Sequence, residues 1–103
     1  PVVRAGRTHT HNVYVVRIPA VRDGVAASLA DQGIDTAIHY PSPVHLQPAV
    51  AGLGYREGDM AVSEDACGEV LTLPFYPSLD PAVVDRVASA TISAARMLLA
   101  DAS

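Results

Sequence analysis

A chain of 103 residues and 10.7 kDa has the size of one domain, spanning residues 1–103, able to bury only ~60–70% of its unfolded surface. Half of it is apolar, led by 17 Ala and 14 Val, and only 17% is charged, which excludes a disordered chain; no apolar run approaches the ~20 residues of a membrane-spanning helix, so a soluble domain is expected. The formal charge of −4, with seven scattered Arg and no Lys, excludes nucleic-acid binding through a basic patch and all side-chain amine chemistry.

The first residues, 1–11, are polar and lack a period, so they read as a lead-in. Val13 to Ile18 is rich in β-branched and aromatic residues and predicts a strand buried on both faces, stopped by Pro19. A helix is predicted from about Val21 to Gln32, with Gly33 just beyond its end, where a left-handed residue closes helices. Ile34 to His39 then predicts a second strand, and the β–α–β order is an α/β signature.

Tyr40-Pro41-Ser42-Pro43 cannot continue a central strand, because each proline fixes φ and removes a donor; a stiff extended loop is expected. A short helix interrupted by Pro48 is expected around Val44 to Ala51, followed by a loop punctuated by Gly52, Gly54 and Gly58. Ala61 to Val70 has helical spacing, with Glu64, Asp65 and Glu69 reading as a solvated face. Leu71 to Leu73 predicts a third short strand before Pro74. The final helix carries the strongest signals: Asp80 as N-cap, Pro81 at the first helical position, and Val84, Val87, Thr91, Ala94, Ala95 and Leu98 along one face. The fold class expected is therefore a two-layer α/β domain with about three strands and helices mainly on one face.

All four histidines lie in the first half. His9 and His11 have the alternate spacing of metal ligands on an extended segment, but two imidazoles without nearby carboxylates make an incomplete metal site. His39, Tyr40 and His45 are different in kind: two imidazoles and a phenol on a proline-stiffened loop directly after a strand, where ligands are commonly met. Two readings stand for them, ligand contact or packing with satisfied backbone groups. Asn12, before the first strand, could meet a ligand or form a local turn. The single Cys67 excludes an internal disulfide, reads as buried filler on a helical face, and suits a reducing cytoplasmic setting. Gly52-Leu53-Gly54 lacks the spacing of a dinucleotide fingerprint and counts as turn material.

Asn12-Val13-Tyr14-Val15-Val16-Arg17, Gly33-Ile34-Asp35-Thr36, and His39-Tyr40-Pro41 with Pro43, His45, Gln47 and Pro48 together form a pattern. Leu53-Gly54-Tyr55, Gly58-Asp59, Glu64, Leu73-Pro74 and Tyr76-Pro77 extend it. From about His9 to Val87 the chain resembles the C-terminal domain of the DegT-type sugar aminotransferases; the stretch from Gly33 to Pro48 is its specific part. These are pyridoxal-phosphate enzymes that aminate keto groups on nucleotide-linked sugars or related cyclitols. The resemblance implies the small domain of a fold-type I transferase, with a separate N-terminal large domain holding the cofactor and the Schiff-base lysine. It also implies a cytoplasmic homodimer, a nucleotide-sugar substrate, an amino donor that is commonly glutamate, and an isolated chain without activity. Carried over residue by residue, it makes His39 the foremost substrate contact, with Tyr40 and His45 behind it and Asn12 at a position where the family commonly has Asn or His. The competing reading is a stand-alone binding or interaction module that kept this fold and lost catalysis. The two differ in surface: a domain cut from its partner exposes an apolar patch, whereas a self-sufficient module is polar there or closes into an oligomer.

Overall fold

The computed structural model describes residues 2–102. In chain order its elements are strand β1 (Tyr14–Arg17), helix α1 (Arg22–Asp31), two 3-10 turns (Val44–Leu46 and Pro48–Leu53), helix α2 (Ala61–Glu69), strand β2 (Val70–Leu73) and helix α3 (Pro81–Asp101). The mixed α/β class and the helical elements agree with the expectation from sequence.

β1 and β2 pair antiparallel, Tyr14 opposite Leu73 and Arg17 opposite Val70. Residues facing one another across a ladder share a face, so Tyr14, Val16, Leu71 and Leu73 form one side of the sheet and Val15, Arg17, Val70 and Thr72 the other. The first side meets the helices: Leu71 and Leu73 join Ile18, Val25, Leu29, Ile34, Val87 and Ala94 in a single core, with Val16 and Leu98 packed against it. The helices thus cover one face, as expected. β1 itself is not buried on both faces: Tyr14, on the helix-facing side, is 55% exposed and Val15, on the other side, is 40% exposed, so among the described residues this end of the strand is left partly uncovered on both sides.

The segment Ile34 to His39 is not a full strand. It contributes one bridge, Ala37 to Thr72, through Ala37 N–H to Thr72 O at 3.1 Å and Thr72 N–H to Ala37 O at 2.7 Å. In an antiparallel ladder the next such pairs would be Asp35 with Pro74 and His39 with Val70. Pro74 has no N–H to give. The Val70 N–H closes α2 on Ala66 O, and the Val70 carbonyl accepts from Arg22 Nη1 at 3.0 Å. Both neighbouring rungs are taken, so the third strand shrinks to a single bridge, and the sheet has two strands where about three were expected.

α1 ends as expected. Gly33 adopts φ +71°, and Ile34 N–H reaches back to Leu29 O at 2.9 Å, which places Ile34 in the core. α3 begins on Asp80, whose Oδ1 accepts from Ala82 N–H at 2.7 Å, and buries Val87, Thr91 and Ala94. It lies along α1 at the glycine of that helix, where a Cβ on Gly24 would stand 2.9 Å from Leu98 Cδ1. Arg86 on α3 donates to Gln32 O, tying the end of α1 to α3.

Candidate functional site

The loop that follows the Ala37 bridge is held at both ends by its histidines. On the sheet face away from the helices, Thr72 is buried, and its Oγ1 lies 2.9 Å from His39 Nδ1. Whichever tautomer His39 adopts, that contact occupies Nδ1 and leaves Nε2, which makes no hydrogen bond among the described residues, to meet a ligand. The Tyr40 ring stands edge-on to it, with centroids 5.5 Å apart, across a cis peptide bond, and Tyr40 is 70% exposed. His39 and Tyr40 therefore present a ring nitrogen and a phenol to solvent beside a fixed strand.

At the rear of the loop, in the first 3-10 turn, His45 is buried. Its Nε2 donates to Glu64 Oε1 at 2.9 Å, and the Tyr55 ring packs edge-on to it at 6.1 Å. Glu64 stands in the first turn of α2, a helix whose N-cap, Met60, offers no side-chain cap. The carboxylate takes over that duty, accepting from Met60 N–H at 3.2 Å and from Gly58 N–H at 3.0 and 2.9 Å on its two oxygens. Gly58 adopts φ +91°, a backbone state that favours glycine and that turns its N–H toward the carboxylate. The Gly58 N–H foremost, with Met60 N–H and the His45 imidazole, holds the Glu64 carboxyl below its ordinary value of 4.5 against the opposing effect of burial.

The expected solvated acidic face of α2 is thus corrected. Asp65 is exposed, but Glu64 gathers the bonds just described and Glu69 is salt-bridged to Arg17 of β1, with Arg17 Nε donating at 2.8 Å. Glu64 is the residue of this site that spacing alone did not single out. A signal existed: a carboxylate in the first turn of a helix that lacks a Ser, Thr, Asp or Asn cap has orphan N–H groups to satisfy.

Asn12 lies elsewhere. It lines an open depression of about 940 Å3 with Thr10, His11, Phe75, Tyr76 and Pro77, at the end of β2 away from the His39 loop. His11 N–H donates to His9 Nδ1 at 2.8 Å, and the two rings lie 4.4 Å apart, tilted by 35°. Among the described residues no group of three or more His, Cys, Asp or Glu could hold a metal ion. Cys67 is a half-buried free thiol rather than fully buried filler, and its carbonyl accepts from Arg22. The structure therefore places His39 and Tyr40 together, His45 behind them on Glu64, and Asn12 in a separate depression.

A profile of the DegT/DnrJ/EryC1/StrS aminotransferase family matches residues 2–91. The chain belongs to this family. It is 47% identical over 74 residues to a pleiotropic regulatory protein of Geobacillus stearothermophilus, covering 72% of this chain and 20% of that protein. It is 44% identical over 91 residues to the dTDP-3-amino-3,4,6-trideoxy-alpha-D-glucose transaminase of Micromonospora megalomicea subsp. nigra, covering 87% of this chain and 24% of that one. Among solved structures, DesV of S. venezuelae in complex with a ketimine intermediate superposes with a TM-score of 0.75 at 40% identity, covering 81% of this chain and 22% of its own. The aminotransferase TlmJ from Streptoalloteichus hindustanus gives a TM-score of 0.79 at 32% identity, covering 95% and 26%. This DegT-family chain thus spans about a fifth to a quarter of the length of the relatives it matches.

Proposed function

We propose that these residues form the substrate-side small domain of a pyridoxal-phosphate-dependent aminotransferase acting on a nucleotide-linked keto-sugar, with glutamate as amino donor. The observation that carries this reading is the family match over residues 2–91, in a chain about a quarter as long as a transaminase it resembles. Relatives named as transaminases of dTDP- and UDP-linked sugars supply the substrate class.

The cofactor does not fit the residues present here. The chain has no lysine, so no side-chain amine can bind an aldehyde, and no step through the cofactor is assigned to this domain. The large domain that would hold it lies outside this chain in the proposal, as does the partner subunit of a cytoplasmic homodimer. What the domain contributes is shape and orientation. His39 Nε2 and the Tyr40 hydroxyl can each donate to or accept from sugar hydroxyls or phosphate oxygens, and the strand and prolines hold them in place. Asn12, in its separate depression, offers an amide donor and acceptor to a more distant part of the same ligand.

Surface supports the same reading over a stand-alone module. Tyr14, Leu73, Pro74, Phe75, Leu79 and Val84 line an apolar concavity of about 220 Å3, and Tyr14, Phe75 and Val84 are between 43% and 55% exposed. A face of this kind suits burial against a further domain.

The test is direct. The native gene product, supplied with pyridoxal phosphate, glutamate and a panel of dTDP- and UDP-linked keto-sugars, should yield an amino-sugar seen by mass spectrometry and an equivalent of 2-oxoglutarate. His39→Ala should raise the KM for the sugar about tenfold or more, the loss of one hydrogen bond to a charged or polar group. Absence of amination across the panel would overturn the proposal.

A further inference from the structure

We propose that His45 and Glu64 form a positioning pair: a buried imidazole–carboxylate clasp that sets the Tyr40–Pro43 loop in the geometry needed for the sugar side of the reaction. The inference deepens the functional reading above and rests on it for its kinetic part. It assigns His45 a role through its neighbours in place of direct contact with substrate.

Tyr40, Pro41 and Ser42 make no hydrogen bond to the rest of the chain among the described residues. The loop's place is therefore decided by what holds its two ends and by the stiffness of its prolines. At the front end stand the reciprocal Ala37–Thr72 bonds and the contact of His39 Nδ1 with Thr72 Oγ1. At the rear end, past the Leu46 N–H bond to Pro43 O, the first side chain to reach into the protein is His45.

His45 is suited to anchoring and poorly suited to contact. Its side chain is 4% exposed and its Nε2 is committed to Glu64. Glu64 in turn cannot swing to follow a moving partner. Gly58 N–H engages both its oxygens and Met60 N–H the first of them, so the carboxylate is tied to the α2 N-terminus by bonds that do not involve the imidazole. The result is a rigid chain of bonds from helix α2, through Glu64 and His45, to the residues that follow Pro43. Tyr40, the most exposed aromatic ring of the loop, lies between this clasp and the Thr72 anchor. Release of either end frees the loop, and a misplacement of about 1 Å at a positioning residue can cost ~100-fold in rate.

The experiment separates the two half-reactions of the native gene product, with loop order read independently of activity. Variants His45→Leu, His45→Gln and Glu64→Gln are compared with wild type. Glutamine at 45 keeps an N–H donor near the place of Nε2, and leucine does not. The expected result is a loss of about tenfold or more in kcat/KM for the keto-sugar in His45→Leu, partial rescue in His45→Gln, and a change within about twofold in kcat/KM for glutamate. Hydrogen exchange across residues 37–47, which needs no substrate, should accelerate in His45→Leu and Glu64→Gln and recover in His45→Gln. Equal losses in both half-reactions, or none in either, would overturn the positioning role. Unchanged exchange would overturn the clasp whether or not any sugar is aminated. Lack of amination by wild type, with exchange responding as described, would count against the functional reading alone. Should His45→Leu fail to fold, Glu64→Gln, which preserves side-chain shape, carries the same comparison.

Discussion

Glu64 shows how one side chain can organise a segment that has little regular structure. Its carboxylate satisfies two backbone N–H groups at the start of α2 and fixes a buried histidine 19 residues earlier. Because these bonds favour the charged form, its folded pKa lies below 4.5. A group depressed on folding contributes stability that is present above its unfolded pKa and is lost as pH falls through the lower, folded value. Hydrogen exchange of the segment 54–66, corrected for the intrinsic pH dependence of exchange, should therefore show protection that holds near neutrality and is lost in acid, as pH falls through the depressed value of this carboxyl. In Glu64→Gln, which has no carboxyl to protonate, the protection should be lower at neutral pH and flat across the same range. A variant that tracks wild type at every pH would show that the carboxylate does not hold this turn.

What was legible at this scale followed from local chemistry. The prolines announced a stiff, extended loop after His39, and the structure has one, with Tyr40 exposed on it. Glu64 escaped because its worth comes from a partner far away in sequence. An acid in a helix with apolar neighbours at helical spacing has the pattern of a solvated face, and only the fold reveals the uncapped N-terminus and the imidazole that claim it.

At the scale of elements, the same contrast decides what could be anticipated. α3 carries its start signal, its N1 proline and its apolar stripe in its own residues, and the structure places Asp80 and Val87, Thr91 and Ala94 as expected. Removing the cap in Asp80→Ala should cost about 1 kcal/mol, since one orphan N–H loses its acceptor. Leu29→Ala, at a residue with no exposed surface between α1 and the sheet, should cost about 2–5 kcal/mol through lost burial and the cavity left behind. Equilibrium urea unfolding measures both, and a larger loss for the cap than for the core leucine would contradict the core described here. The segment Ile34 to His39 taught the opposite lesson. Its β-branched residues favour an extended backbone, but a strand also needs free rungs. Pro74 has none, and Val70 has already given its groups to α2 and Arg22.

The whole molecule is wider than its length requires. Its radius of gyration is 16.2 Å, against about 13 Å for a compact domain of 103 residues. Its accessible surface of 7629 Å2 exceeds the ~5,500 Å2 typical of a folded monomer of this mass. The surplus lies in the polar lead-in, in residues 51–62 and in apolar side chains along the sheet edge, among them Tyr14 and Phe75. Half the chain being apolar with few charges was the sequence counterpart of this surface; the face that carries it could be located only once β1 was seen to be uncovered. A charge placed there distinguishes the two readings of the domain. Phe75→Glu in the native gene product should lower the thermal midpoint and open the chain to limited proteolysis if this face is buried against a further domain. Unchanged melting and proteolysis would favour a surface exposed to solvent in a stand-alone module.

The central claim, that these residues are one part of a larger aminotransferase, is tested most directly by the intact mass of the gene product purified from its source cells. The account expects a mass of about 40 kDa, the figure reached when the 91 matched residues are 24% of the whole, roughly 380 residues, as in the matched transaminase. A mass near 10.7 kDa would contradict it and leave a domain that carries the family's fold without the part that does its chemistry.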